Sequence, residues 1–242
     1  MSVKYIAWPD RILQEPFTRE KEQFVANLLS WFEEHGRDLP WRQTRDPYKI
    51  LVSELMLQQT QVSRILEYYP RFLEKFPDFA TLARATEEEV VAAWEGLGYY
   101  NRARNFHKLA IEITEKYGGQ FPRDKETILT LPGIGEYTAG AVLTFALGIR
   151  APIVDTNVDR VLSRVILSQK DLQEFGTRGQ KEKVLWIISE ALLPEEHFWE
   201  FNQAIMDFGA MQCTPKPHCN TCPMKPVCRY YNQNSLTRFL KK

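Results

Sequence analysis

The chain has 242 residues, 44% of them hydrophobic, enough to bury one large core or two smaller ones. No apolar run approaches the ~18 residues a membrane span needs, and the opening MSVKYIAWPD has neither the basic nor the apolar region of a secretory signal, so the expectation is a soluble, cytoplasmic protein, nucleoid-associated if bacterial. Lysine plus arginine equals aspartate plus glutamate at 31 each, so net charge offers no attraction to nucleic acid and any basic surface must arise by local segregation.

Residues 1–18 read as an irregular arm. From there apolar residues recur at spacings of three and four, the helical period, in Phe24-Leu28-Leu29-Phe32, Ile50-Leu51-Leu55, Ile65-Tyr68-Phe72, Val90-Val91-Trp94, Leu109-Ile113, Val142-Phe145, Val158-Val161-Leu162-Val165, Val184-Ile187-Ile188 and Phe201-Ile205-Phe208. Breakers separate them at Pro40, Pro47, Pro77, Gly96-Leu97-Gly98, Gly118-Gly119, Pro132-Gly133, Pro152, Gly176 to Gly179 and Pro194, leaving short loops. No stretch alternates convincingly and no internal repeat occurs. The fold class is therefore all-α, with about ten helices and a short tail over 229–242.

Between two of these helices lies Leu131-Pro132-Gly133-Ile134-Gly135. Two glycines one residue apart let the backbone turn sharply with bare amides exposed, and the next helix adds its N-terminal dipole, which together make a phosphate cradle. Glycines at a helix-helix turn are equally common as caps, and both readings stand on the motif alone. Twenty residues on, Asp155 begins a new apolar-periodic helix, the position of an ordinary N-cap.

The four cysteines of the chain fall within sixteen residues, as Cys213-TPKPH-Cys219-NT-Cys222-PMKPV-Cys228. One C-x-x-C pair flanked by a cysteine five residues away on each side can wrap four soft ligands around one centre. Disulfides need an oxidising compartment, and structural zinc more often shows paired C-x-x-C or a C-x-x-C with two histidines. A [4Fe-4S] cluster is the preferred occupant, with zinc the alternative.

Hairpin and delayed aspartate together resemble the helix-hairpin-helix DNA glycosylase superfamily, and the cysteine loop narrows the resemblance to its iron-sulfur branch over about Trp31 to Tyr230. Within that branch the chain is similar to the MutY-type adenine DNA glycosylases more than to endonuclease III. The similarity rests on Leu39-Pro40-Trp41-Arg42, Asp46-Pro47-Tyr48, Ser53-Glu54-Leu55-Met56-Leu57-Gln58-Gln59-Thr60-Gln61-Val62, Gly96-Leu97-Gly98-Tyr99-Tyr100, Phe201-Asn202-Gln203-Ala204 and Gly209-Ala210. The resemblance implies two helical lobes with an active-site cleft between them: a six-helix lobe over 43–152 carrying the hairpin 131–135, and a second lobe of 19–42 plus 153–242 carrying the cluster loop 213–228.

The implied chemistry is hydrolysis of the N-glycosidic bond of adenine mispaired with 8-oxoguanine or guanine in double-stranded DNA, by a monomer. Adenine leaves poorly because its departure puts negative charge on the ring, so an acid protonating N7 lowers the barrier. Glu54 is the expected acid: it shares a helix face with Ile50, Leu51 and Gln58, where desolvation favours its protonated form. A salt-bridged interior glutamate would give the same pattern. Asp155 is expected to stay charged at a helix N-terminus and to stabilise the oxocarbenium-like sugar, the two-carboxylate logic of glycoside hydrolysis. Asn157 and Tyr137 are expected to orient Asp155 and shape the sugar site. Endonuclease III-like members carry a Schiff-base lysine where this chain has Tyr137, which implies a monofunctional enzyme. Gln59 and Tyr99 match residues that enter the duplex, Trp41 and Arg42 match the adenine pocket, Gly133 and Gly135 the phosphate cradle, and Lys216, Lys225 and Arg229 would face phosphates.

Three departures stand out. Five residues separate the first two cysteines where six are usual, Thr156 follows Asp155 where glycine is frequent, and the chain stops at Lys242 without the usual C-terminal domain that inspects 8-oxoguanine, so that a catalytic fragment and a naturally short relative are both open. A thymine glycosylase acting on T:G mispairs is the neighbouring alternative, and a non-catalytic mismatch-binding module the alternative of another class. Retention of both Glu54 and Asp155 argues against the latter.

Overall fold

The computed structural model describes residues 17–233, and among them every regular element is a helix. In chain order these are α1 (Phe17–His35), a 3-10 turn (Pro40–Arg42), α2 (Pro47–Leu57), α3 (Val62–Lys75), α4 (Phe79–Arg84), α5 (Glu87–Ala93), α6 (Asn101–Tyr117), α7 (Lys125–Thr130), α8 (Glu136–Phe145), α9 (Thr156–Val165), α10 (Gln169–Glu174), α11 (Arg178–Leu192), α12 (Phe198–Met211) and a 3-10 turn (Cys219–Thr221). The twelve α-helices exceed the ten expected. Nine of the twelve coincide with the nine periodic stretches, and the other three, α4, α7 and α10, are each six residues long and too short to show a period. Each nevertheless has a sequence signal at its start: Asp78, Asp124 and Ser168 accept hydrogen bonds from the amides of Thr81, Thr127 and Asp171. The expected arm over 1–18 lies outside the described residues up to 16, and α1 already includes Phe17. Of the tail, 229–233 is helical and 234–242 lies outside the described residues.

The chain divides into two compact units, one over Asp38–Ile149 and the other of the residues before and after it. The central unit holds α2 to α8, seven α-helices where six are expected. It also takes in the 3-10 turn at Pro40–Arg42, which the sequence reading gives to the other lobe; the reason is Trp41, buried with its ring edge-on to Tyr69 of α3 at 5.5 Å. Its core is aromatic. Phe72 meets Trp94 at 88° and 5.6 Å, and Tyr48 stacks on Phe106 while its hydroxyl donates to the Phe76 carbonyl at 2.5 Å. Burial pushes the Tyr48 phenol far above its ordinary range, so it stays a neutral donor. Burying such a ring contributes about 1.5–3 kcal/mol, and truncating Trp94 or Phe106 to alanine would cost about 3–5 kcal/mol.

The other unit packs α1, α9, α11 and α12 around Phe24, Leu28, Val161, Leu162, Ile188, Phe201 and Phe208. Its charged core element is Asp207, fully buried, with both oxygens held by Arg37 through the backbone amide at 2.9 Å and the guanidinium at 2.6 and 2.9 Å. Cys213, Cys228 and Met224 belong to this same core, so the cysteine loop is folded onto the unit rather than appended to it.

Candidate active site

Glu54 lies in the middle of α2, a helix started by Asp46, whose side chain accepts from the Tyr48 amide at 2.9 Å, and by Pro47 in its first turn. Seven other residues of this eleven-residue helix are buried with it, and Glu54 itself is only 4% exposed. The hydroxyl of Tyr137, the second residue of α8, donates to its Oε2 at 2.7 Å. Tyr137, expected beside Asp155, is thus bonded to Glu54. Just past the end of α2, its C-cap Gln58 reaches Thr138 at 3.4 Å, so this stretch and the start of α8 are bonded at two points.

The start of α8 is set by the hairpin. Gly133 has φ 78°, and a Cβ there would come within 2.8 Å of the Asn105 Cβ, so both conformation and close approach require glycine. Gly135 is different: it is the N-cap of α8 with φ −108°, ordinary extended backbone, and a Cβ there would meet nothing within 4 Å. Its value lies in what it omits, since an N-cap without a side chain makes no capping bond to the first amides of the ten-residue helix.

Asp155 is the N-cap of α9. Its Oδ1 accepts from the Val158 amide at 2.7 Å, the expected capping bond, and its Oδ2 accepts from Asn157 Nδ2 at 2.9 Å. Asn157 is itself fixed. Arg160 donates to its Oδ1 at 2.7 Å and also to the carbonyls of Gly209 at 2.5 Å and Cys213 at 2.7 Å. Gly209 has to be glycine, because a Cβ would stand 2.7 Å from the Asn157 Cβ. Sequence spacing holds a trace of this arrangement, since Asn157 and Arg160 are three apart on one helix face, although nothing in it shows that Arg160 also grips the chain entering the cysteine loop.

Gln59 and Tyr99 share an unusual property. They are two of the three non-glycine residues at positive φ among the described residues, at 56° and 51°. Such conformations cost about 1–3 kcal/mol each and persist only where the surroundings enforce them. Both side chains are exposed, Tyr99 by 62%, and both line a groove of about 480 Å³ with Tyr100, Asn101, Arg102 and Arg104. Trp41, by contrast, is core packing in the central unit, with Arg42 partly buried beside it in sequence.

The four cysteines form no disulfide. Cys213 and Cys228 are buried, and Cys219 and Cys222 partly so. Burial pushes the Cys222 thiol up to about 11, and each of the other three thiols adds to the rise. Cys228 is raised for the same reasons, burial first. Arg164 crosses the loop, donating to the Thr214 carbonyl at 2.6 Å and standing 3.6 Å from the Cys213 sulfur. Among the described residues no group of three or more His, Cys, Asp or Glu side chains is arranged to hold one metal ion. Of the three basic residues expected to face phosphates, Lys216 is exposed, Lys225 donates to the Asn220 carbonyl, and Arg229 is committed to carboxylates, Glu20 at 3.2 Å and Asp171 at 3.6 Å. Arg229 is therefore an internal tie between α1, α10 and the loop.

Residues 52–184 match the HhH-GPD superfamily of base excision DNA repair proteins. The chain is 40% identical over 218 residues to the adenine DNA glycosylase of Buchnera aphidicola (subsp. Baizongia pistaciae), covering 88% of this chain and 60% of that protein. It is 34% identical to the thymine/uracil-DNA glycosylase of Methanothermobacter thermautotrophicus, covering 92% of this chain and all of the relative. Among solved structures, a thermostable thymine-DNA glycosylase superposes with a TM-score of 0.82 at 34% identity, over 89% of this chain and 98% of the other.

Proposed function

The chain belongs to the HhH-GPD superfamily of base excision DNA repair proteins, and from that premise we propose that it is a monofunctional DNA N-glycosylase that removes adenine from mispairs with 8-oxoguanine or guanine. The observation that carries the proposal is the buried carboxyl of Glu54 with the Tyr137 hydroxyl on it. Where strand-cleaving relatives in the resemblance place a lysine amine, this chain places a phenol, which cannot form a Schiff base with the sugar.

The proposed reaction balances as follows. Glu54 gives its proton to adenine N7, the bond between N9 and C1′ breaks with its electron pair passing to the base, and neutral adenine departs. Asp155, held on both oxygens, stabilises the cationic sugar, and water adds at C1′ to leave an abasic site, its proton passing to solvent, from which the Glu54 carboxylate regains the one it gave. Asn157 fixes the free oxygen of Asp155 in place. Gln59 and Tyr99 enter the duplex to replace the extruded nucleotide, and the uncovered amides after Gly135 bind a phosphate. Phosphate contacts of this kind make affinity fall steeply with salt.

Cys213, Cys219, Cys222 and Cys228 would hold a [4Fe-4S] cluster. The donor set supports this reading: four thiols with one C-x-x-C pair flanked by a cysteine five residues away on each side, without the second C-x-x-C or histidine pair that structural zinc more often shows. Bound there, the cluster would close the loop covalently and add folding free energy. Purified anaerobically, the protein is expected to contain iron and acid-labile sulfide at about four each per chain; one zinc without sulfide would remove the cluster from the account.

Coverage of the whole thymine/uracil-DNA glycosylase relative keeps thymine in T:G as the second reading. Single-turnover base release from A:8-oxoguanine, A:G and T:G duplexes, with abasic-site cleavage scored separately, separates them. Adenine release from the first two without strand cleavage is expected. Thymine release alone would overturn the substrate assignment.

A further inference from the structure

One guanidinium bonds the peptides that precede both Gln59 and Tyr99, two residues at positive φ; at Gln58 it is joined by the Thr60 hydroxyl at 3.3 Å. Arg102, the second residue of α6, donates from Nη1 to the carbonyls of Leu55 at 2.5 Å, Met56 at 3.1 Å and Gln58 at 2.7 Å, and from Nη2 to those of Leu97 at 3.3 Å and Gly98 at 3.0 Å. Its plane lies 5.5 Å from the buried Trp94 ring and 5.6 Å from the Tyr99 ring. The carbonyls of Leu55 and Met56 are among the last of α2, where orphan acceptors and the negative dipole end favour a cation. The other contacts are more specific. A residue's φ is set by the orientation of the peptide that precedes it, and the carbonyls of Gln58 and Gly98 belong to the peptides preceding Gln59 and Tyr99. One side chain therefore fixes both of the peptide planes that set these two conformations. Gly96 pins the second loop from the other side, since a Cβ there would lie 2.3 Å from the Tyr68 hydroxyl.

We propose that Arg102 is a positioning residue for base extrusion: it locks Gln59 and Tyr99 together in the presented conformation, so that the two enter the duplex as one preformed wedge. This rests on the reading of Gln59 and Tyr99 as the residues that enter DNA. Lysine cannot substitute, because a point-like ammonium with three donors cannot span the two loops that a planar guanidinium bridges. Preformation matters because unstacking a base is unfavourable, and a wedge that first has to be ordered adds its own ordering cost to that step.

The test uses Arg102→Lys and Arg102→Met, with Tyr99→Ala and the Gln59→Ala/Tyr99→Ala pair as references. Duplexes carry 2-aminopurine beside the mispaired adenine, whose fluorescence rises when its neighbour leaves the stack. Thermal melting and duplex affinity are measured alongside. The expected result is that Arg102→Lys folds and binds duplex within about threefold of the parent, loses the fluorescence rise, and releases adenine about 10- to 100-fold more slowly, as Tyr99→Ala does. Adding Arg102→Lys to the Gln59→Ala/Tyr99→Ala pair should cost less than about threefold more, since the arginine acts through those residues. A purely structural role would instead lower melting and affinity together and multiply with the pair. Retention of the fluorescence rise and of release within about threefold in Arg102→Lys overturns the inference. If Arg102→Met fails to fold, Arg102→Lys carries the test. If Tyr99→Ala and the Gln59→Ala/Tyr99→Ala pair leave the rise intact, the wedge assignment itself is wrong, an outcome distinct from an arginine that is dispensable to a working wedge.

Discussion

Glu54 stands inside a helix buried along most of its length, with a tyrosine hydroxyl on its carboxyl, whereas Asp155 stands at the open end of another helix with backbone and side-chain amides on its two oxygens. The chemical group is the same and the surroundings ask opposite things of it. Burial opposes charge, and amides at a helix N-terminus favour it. The contrast with Asp78 and Asp124 sharpens the point. These cap α4 and α7 through the same kind of bond, at 2.7 and 2.8 Å, and each takes its side-chain bond from the same threonine that supplies the amide, whereas the second grip on Asp155 comes from Asn157, a side chain that Arg160 itself holds.

The predictions probe this contrast, beginning with the carboxyls themselves. Glu54→Gln removes the proton and Asp155→Asn the charge, each with shape retained, so each should slow base release by ~10²-fold or more while mispair binding persists; measured binding that falls in step with the rate would mean damaged folding instead. Next comes the support of Asp155. Gly209→Ala forces a Cβ to within 2.7 Å of the Asn157 Cβ, and should destabilise the protein by about 1–3 kcal/mol and slow release more than Asn157→Ala, which deletes the hydrogen bonds to Asp155 and from Arg160 and should cost about tenfold. The reverse order would show that Gly209 is not pressed against Asn157.

Tyr137→Phe addresses the other carboxyl. The hydroxyl holds the Glu54 carboxyl from α8, so its deletion should slow base release by about tenfold while mispair binding persists. Release at the parent rate would show that the hydroxyl does not position the acid. Asp78→Ala is the smallest change, about 1 kcal/mol of stability without effect on chemistry. The Thr81 amide and hydroxyl hold the Asp78 carboxyl below its ordinary 3.8, so this contribution is present above that pH and disappears as pH falls through the lowered value. Acid titration of melting temperature for the two proteins should converge at low pH.

Much of the fold was legible because long helices repeat a period and short ones announce a cap. The nine periodic stretches are all helical, while α4, α7 and α10 are visible only through Asp78, Asp124 and Ser168. At the candidate site, residue type and local spacing single out Glu54 and Asp155, and the family resemblance adds Asn157. What spacing cannot supply is contact across the chain. Tyr137 meets Glu54 from 83 residues away, and Arg102 reaches back 44 to 47 residues to carbonyls that leave no mark on any side chain. Arg229 failed in the other direction: it looks like a phosphate ligand beside a cysteine, and carboxylates from α1 and α10 claim it.

The most direct test of the two-carboxylate account replaces the proton acceptor instead of the donor. Single-turnover release is measured for wild type and Glu54→Gln on duplexes carrying adenine or 7-deazaadenine opposite 8-oxoguanine. If Glu54 protonates N7, the deaza base should slow wild type by about as much as Glu54→Gln slows release of adenine, ~10²-fold or more, and combining the two changes should slow it little further. Independent, multiplying losses would contradict the account, because they would place the acid's action somewhere other than N7.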